Sequence, residues 1–249
     1  MGHCSGRWNG SGRTVMPHKS VAVVVAMRRE LAPLLRGGRG HRADGVEFFE
    51  IENAVVAVGG IGRIAAWRVA EAVVARYQPS MLISAGIAGA LTEKLRVGDV
   101  VLGSEVVDGD SGARYKASGG ESVMVTVSSV SGPAEKRTLA YRYKADVVDM
   151  ESAAVAAVAR EHGIEFSAIK AISDELGFEM PPMAGFVDGN GKFETARFTV
   201  YVAMRPKWWS AVMQLAANSR KASVNLSHAL EHLIERHVNN TQEEKVPRV

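Results

Sequence analysis

Residues 20–30 read SVAVVVAMRRE. From Val21 to Ala26 no position is polar, so this is not a strand with one face in water. The run reads as a strand buried on both faces. A sheet that holds such a strand needs helices on both sides, which places the chain in the α/β class. The run breaks at Met27-Arg28-Arg29-Glu30. A short helix is expected over 28–36, closed by Gly37-Gly38.

The rest of the chain repeats that grammar. VEFFEIE and AVVAVG, over 46–59, read as two strands reversing at Glu52-Asn53. Gly60 and Gly62 open a helix predicted over 63–77, stopped before Pro79. MLISA (81–85) reads as a buried strand running into a turn, Gly86-Ile87-Ala88-Gly89. A strand at 99–107 follows, then a polar, weakly patterned stretch over 108–145. An Ala-rich helix is predicted over 150–162, a strand over 164–172, and a long helix over about 207–236. Alternating strands and helices give a three-layer α/β/α architecture with a central mixed, mostly parallel sheet. One domain is expected over 19–238, with a polar tail over 239–249. Residues 1–18, rich in Gly and Ser, read as a disordered leader, or as a spurious one if Met16 is the true start.

Hydrophobic residues make up 47% of the chain and charged residues 23%, an ordinary balance for a globular enzyme. The net charge is only +3, and Arg7 and Arg13 lie in a leader without acids. The remainder is nearly neutral, which argues against a nucleic-acid binder. The single cysteine, Cys4, forms no internal disulfide and no multi-cysteine metal site, as in a cytoplasmic protein. No apolar run approaches the roughly 18 residues of a membrane span.

In open α/β sheets, ligands sit outside the carboxyl ends of the strands. Glu30, the Gly59–Arg63 segment, Gly86 to Gly89, Asp149-Met150-Glu151 and Ser173-Asp174 all fall there. Each also has a structural reading. Glu30, Asp149 and Glu151 suit helix starts, where acids complement the dipole. Asp174 suits a helix N-cap. Arg63 either meets a phosphate or begins a helix. His228 and His232, spaced i,i+4, read as a solvent-facing pair with no evident third metal ligand. Burial of at least one of Trp208 and Trp209 is expected.

Taken in order, AMRRE, GGIGR, SAGIAGAL, KLRVGDVV, VVDMESAAVA and AIKAISD resemble the nucleoside phosphorylase and nucleosidase superfamily over about 20–174. Within it the chain looks most like the methylthioadenosine/S-adenosylhomocysteine nucleosidases and their hopanoid-associated relatives, the latter through its Pro-Pro-Met and RPKWW segments. The resemblance implies a nucleosidase that cleaves the N-glycosidic bond of a 5′-substituted adenine nucleoside by water attack, without metal or cofactor. The substrate would be of the methylthioadenosine, adenosylhomocysteine or adenosylhopane type. It implies that Glu30 activates water and that Asp174, oriented by Ser173, protonates the purine at N7. Glu151 would hold the ribose hydroxyls with Met150 beneath the sugar, and Gly86 and Ala88 would close around it. Lys170 stands where these enzymes usually have Arg beside the water, and Ile87 where they usually have Ser. No purine-stacking aromatic is assigned in the short segment between Val101 and Met150.

Two other functions share the fold: a phosphorylase, for which Arg28, Arg29 and Arg63 would speak, and a nucleoside-binding protein without catalysis. A homodimer is expected, because superfamily members are usually oligomeric and the 63–77 helix is apolar around most of its circumference. After Asp174 the chain carries Phe178, Met183, Phe186, Phe193, Phe198, Trp208 and Trp209. These residues read either as anchors for a long loop or as an apolar wall over a bulky 5′ group.

Overall fold

The computed structural model describes residues 20–243, except positions 182, 187, 189, 190 and 192, together with two short segments near the N-terminus. Those segments, β1 (Arg7–Trp8) and β2 (Thr14–Val15), pair antiparallel with Arg7 opposite Val15. The rest of the expected leader, and the tail after Glu243, lie outside the described residues.

All remaining strands join one ten-stranded sheet. They are β3 (Val21–Val25), β4 (Arg39–Ala43), β5 (Val46–Glu50), β6 (Ala54–Val58), β7 (Met81–Ala90), β8 (Val100–Asp108), β9 (Arg114–Lys116), β10 (Ser122–Thr126), β11 (Val147–Asp149) and β12 (Glu165–Asp174). The path runs β11-β10-β8-β12-β7-β3-β6-β5-β4, with β9 paired to β8. β3 lies between β6 and β7, parallel to both, and every residue from Val21 to Val25 is buried. This is the environment its unbroken apolar run demands. At the other end β11 also pairs with β7, Val147 opposite Ala90. Strands β7, β12, β8, β10 and β11 therefore close into a five-stranded ring.

The described residues include five helices, α1 (Arg63–Tyr77), α2 (Pro133–Tyr143), α3 (Ser152–His162), α4 (Thr195–Ala203) and α5 (Trp209–Glu243), of which α1, α3 and α5 cover the faces of the sheet. On one face Val69 and Val73 of α1 and Val155 and Val158 of α3 pack over Ala22, Val24 and Leu82. On the other, Ala222, Leu226 and Leu230 of α5 cover Val23, Ile83 and Ile169. The three-layer α/β/α order is thus as expected, and α1 matches its predicted bounds.

Four local expectations change. The 28–36 helix is two 3-10 turns, Arg28–Leu31 and Leu34–Gly37, separated around Pro33. Proline lacks the N–H that a continuous helix would use there. Gly86 to Gly89 form no turn: β7 continues to Ala90, held by the ladder to β12 that pairs Gly86 with Lys170 and Ala88 with Ile172. The stretch 108–145 carries β9, β10 and α2. The last helix extends past 236 to Glu243, about 52 Å at 1.5 Å per residue, so the tail expected from 239 begins as helix.

The layer assignment predicts two contrasting substitutions. Leu82 is fully buried and Tyr141 on α2 is 79% exposed. Leu82→Ala should cost about 2–5 kcal/mol, whereas Tyr141→Ala should stay within ~0.5 kcal/mol, as measured by urea unfolding.

Candidate active site

Lys170 is the centre of the polar cluster. It lies in β12, between two strands of the ring, and is 1% exposed. A buried ammonium needs anionic partners. Its Nζ lies 2.8 Å from Oδ2 of Asp149 and donates to the Ser84 hydroxyl at 3.2 Å. Burial disfavours the charged amine, but Asp149 and Glu151 outweigh it and hold the ammonium more firmly protonated than usual. For Asp149, burial opposes ionisation, yet Lys170 and the Ser152 and Thr126 hydroxyls draw its pKa below the ordinary carboxyl range. Thr126 donates to Asp149 Oδ1 at 2.6 Å, and the Ser152 N–H reaches Oδ2 at 3.0 Å. Asp149 therefore caps the start of α3 as well as pairing with Lys170.

Glu30 stands on the 3-10 turn after β3 and is buried. Its carboxylate accepts the Met27 N–H at 3.0 Å. Burial pushes its pKa up, against the Met27 N–H and the Lys170 charge, which pull it down. Glu151, at the N-cap of α3, accepts the Gly62 N–H at 2.8 Å and the Met150 N–H at 3.3 Å. Gly62 has φ 90°, a conformation that glycine adopts freely and that brings its N–H to this carboxylate. Burial raises the Glu151 carboxyl to about 7; Lys170 opposes the rise, while Asp149 and Glu30 add to it.

A second charged group lies farther along β7 and β12. Asp174 pairs with Lys136 of α2, and both are buried. Lys136 also donates to the Glu175 carbonyl at 2.8 Å, and the Ser173 hydroxyl donates to Asp174 Oδ1 at 2.6 Å. Gly89 of β7 makes room for the second group, and Gly86 borders the first. A Cβ on Gly86 would sit 3.5 Å from Lys170 Nζ and 3.7 Å from Glu30 Oε2. One on Gly89 would sit 2.9 Å from Asp174 Oδ2. These two positions are about 10 Å apart at roughly 3.3 Å per residue, so the two charged groups follow one another along the strand. Ala88, between them, is buried and its carbonyl lies 3.4 Å from the Ser173 hydroxyl.

Each sequence-predicted site residue therefore falls at one end of the sheet: Glu30, Glu151, Met150 and Lys170 around one group, Asp174 and Ser173 in the other, Gly86 and Ala88 on the strand beneath. Lys136 was missed. Its helix lies in the stretch over 108–145 that reads as polar and weakly patterned; Pro133 in the first turn with Glu135 after it was the available signal. Arg63 is committed to Asp108 and Asp110, which marks it as a helix-start residue tied to its neighbours. Burial works against ionisation of Asp108, but Arg63 and two backbone N–H groups hold its pKa at about 2.

A cavity of about 560 Å³ opens beside this group at the ends of β3 and β6, lined by Met27, Gly60 and Phe193 and by four arginines, Arg28, Arg29, Arg42 and Arg68. The apolar residues after Asp174 do not form its wall. Phe186, Phe198 and Val202 make a small core of their own, with Met183, Tyr201 and Trp208 against it, and Phe193 alone of the aromatics also lines the cavity. Trp208 is half-buried and Trp209 is 50% exposed. His228 and His232 stand exposed on α5. Among the described residues no cluster of three His, Cys, Asp or Glu side chains could hold a metal ion.

The model of the phosphorylase superfamily matches residues 20–124 and 117–199. A 5′-methylthioadenosine/S-adenosylhomocysteine nucleosidase of Shewanella halifaxensis is 23% identical over 203 residues, covering 65% of this chain and 88% of that protein. Among solved structures, the futalosine hydrolase of Helicobacter pylori strain 26695 aligns with a TM-score of 0.68 at 18% identity, over 88% of this chain and 98% of its own. The apo 5′-methylthioadenosine nucleosidase of Arabidopsis thaliana gives 0.68 at 20% identity, over 88% and 96%.

The position of Glu151 predicts a pH effect on stability. Its folded pKa, about 7, lies above the ordinary 4.5, so the protonated form favours the fold. That contribution is complete below pH 4.5 and is lost as pH rises through 7. The urea midpoint of the native protein should fall between pH 5 and pH 8 by more than that of Glu151→Gln.

Proposed function

This chain belongs to the phosphorylase superfamily, and from that premise we propose that it hydrolyses the N-glycosidic bond of a 5′-substituted adenine nucleoside. The observation that carries this reading is the division of the site into two charged groups along β7. Glu151 accepts the ribose hydroxyls and, when ionised, favours the positive charge that develops on the sugar as the C–N bond breaks. Glu30, made more basic by burial, takes a proton from the attacking water. At the other group, the buried Lys136–Asp174 pair supplies the proton that purine N7 needs as it leaves. Ser173 fixes the carboxylate orientation. Lys170 positions both glutamates by balancing their charge. Acid on the base side and base on the water side follow the logic of inverting glycosidases.

The four arginines of the neighbouring cavity favour a second reading, phosphorolysis, in which inorganic phosphate attacks in place of water. Against it, a carboxylate at the nucleophile's position repels phosphate. Incubation with methylthioadenosine and adenosylhomocysteine, with and without phosphate, separates the two: free adenine and a free sugar in both conditions support hydrolysis. A sugar 1-phosphate formed only with phosphate would establish phosphorolysis, and substrate bound but uncleaved in both would leave a binding protein.

The assigned roles predict that Glu30→Gln, Asp174→Asn and Lys136→Met each lower turnover by about 10²–10⁴. All three should retain a cooperative thermal transition. Near-native turnover in Glu30→Gln and Asp174→Asn would remove these residues from the mechanism.

We also assign a homodimer to the face where Trp67 (47% exposed) and Ile64 stand beside Tyr115 and Ala157. Light scattering at micromolar concentration should give twice the chain mass, and Trp67→Glu should return it to the monomer.

A further inference from the structure

A different surface carries no role in this chemistry. From Thr195 to Leu230 the sequence contains no Asp or Glu, but it contains Arg197, Arg205, Lys207, Arg220 and Lys221. The same stretch holds five large exposed apolar side chains, Val224 on α5 and, closer to its start, Val200 (60%), Met204 (70%), Trp209 (50%) and Met213 (73%). Spacing organises them. Arg197, Val200 and Met204 follow one another at i, i+3 and i+7 along α4 and its C-cap, and Trp209, Met213 and Arg220 at i, i+4 and i+11 along α5. Each apolar stripe thus carries an arginine about two turns from its methionine. The stripes meet at a corner fixed by the Trp209 indole N–H, which donates to the Val202 carbonyl at 2.9 Å. Arg205 is clamped there over the Tyr201 ring, 3.8 Å from its centroid.

Exposed tryptophan and methionine beside cations are costly to leave in water and mark a surface with a partner. Charge decides which partner. A two-fold dimer through this patch would set Arg205, Lys207, Arg220 and Lys221 against themselves, and the acid beside them, Glu194 at the N-cap of α4, is already paired with Arg197 at 2.7 Å. An anionic lipid surface answers both features at once: indole and methionine enter the headgroup boundary, while Arg and Lys remain at the phosphates. We propose that the corner of α4 and α5 is a docking face for an anionic bilayer, which holds the protein on the membrane surface without a spanning segment. Among the described residues no helix is long and apolar enough to cross a membrane. The start of α4 adjoins the arginine-rich cavity, which Phe193 and Thr195 help to line.

The docking face is tested without any substrate, so its failure is distinct from failure of the nucleosidase reading. The full chain is floated with vesicles of phosphatidylcholine alone and of phosphatidylcholine with 30% phosphatidylglycerol, and the tryptophan emission is recorded. We expect binding to the anionic vesicles at least tenfold tighter than to the neutral ones, with a blue shift, weakened by salt. Met204→Glu/Met213→Glu should reduce that binding at least tenfold, and Lys207→Glu/Arg220→Glu should abolish the preference for anionic lipid. These side chains are exposed, so thermal transitions should be unchanged. Absence of binding at millimolar anionic lipid, or binding unaffected by Met204→Glu/Met213→Glu, would overturn the proposal. If that double variant instead abolished self-association seen by light scattering, the face would belong to a second copy of the chain.

Discussion

The carboxylates at the end of β3 and at the start of α3 depend on one buried cation. Lys170 lies within the sheet, where an uncompensated ammonium would not be tolerated, and Asp149, Glu151 and Glu30 surround it. The balance works in both directions. Three carboxylates gathered in so small a volume would repel one another and protonate without Lys170, and Lys170 would lose its proton without them. Asp149 takes the close contact and stays ionised. The two glutamates receive only part of the compensation, and burial leaves both more basic than a free carboxylate. A strand position thus sets the acid–base character of residues delivered by two other elements.

The ring of strands provides the frame for that balance. β7 is shared between the open part of the sheet, through β3, and the ring, through β12 and β11. Its glycines border charged side chains at two levels, Gly86 beside Lys170 and Glu30 and Gly89 beside Asp174 and Lys136. A side chain at Gly89 would compete with Asp174 and Lys136 for volume, whereas a Cβ at Gly86 would make ordinary contact. Here the absence of a Cβ matters through space and not through an unusual backbone angle.

How much of this was legible depended on whether the signal was local. The unbroken apolar run of β3, the apolar helix between Gly62 and Pro79 and the acids at strand ends could be read directly, because each shows in the local sequence. Glu30, Glu151 and Asp174 stood out by resemblance and by place. The continuation of β7 through Gly86 to Gly89 could not be read, because glycine signals a turn in isolation and only the ladder to β12 overrides it. Lys136 was hidden for a similar reason. Its helix is weakly amphipathic and its partner lies 38 residues away, so the pairing exists only in three dimensions.

The far end of the sheet carries a different consequence. β4 ends the path of strands, with one side paired to β5. An unpaired strand edge is a template on which another chain can add, and it is the usual starting point for uncontrolled assembly. Here that edge reads Arg39-Gly40-His41-Arg42-Ala43, with both arginines exposed. A second copy approaching in register would bring guanidinium against guanidinium along the line where backbone bonds must form. Among the described residues β4 is thereby a guarded rim, and Arg42, one of the side chains that oppose strand addition there, also lines the arginine-rich cavity.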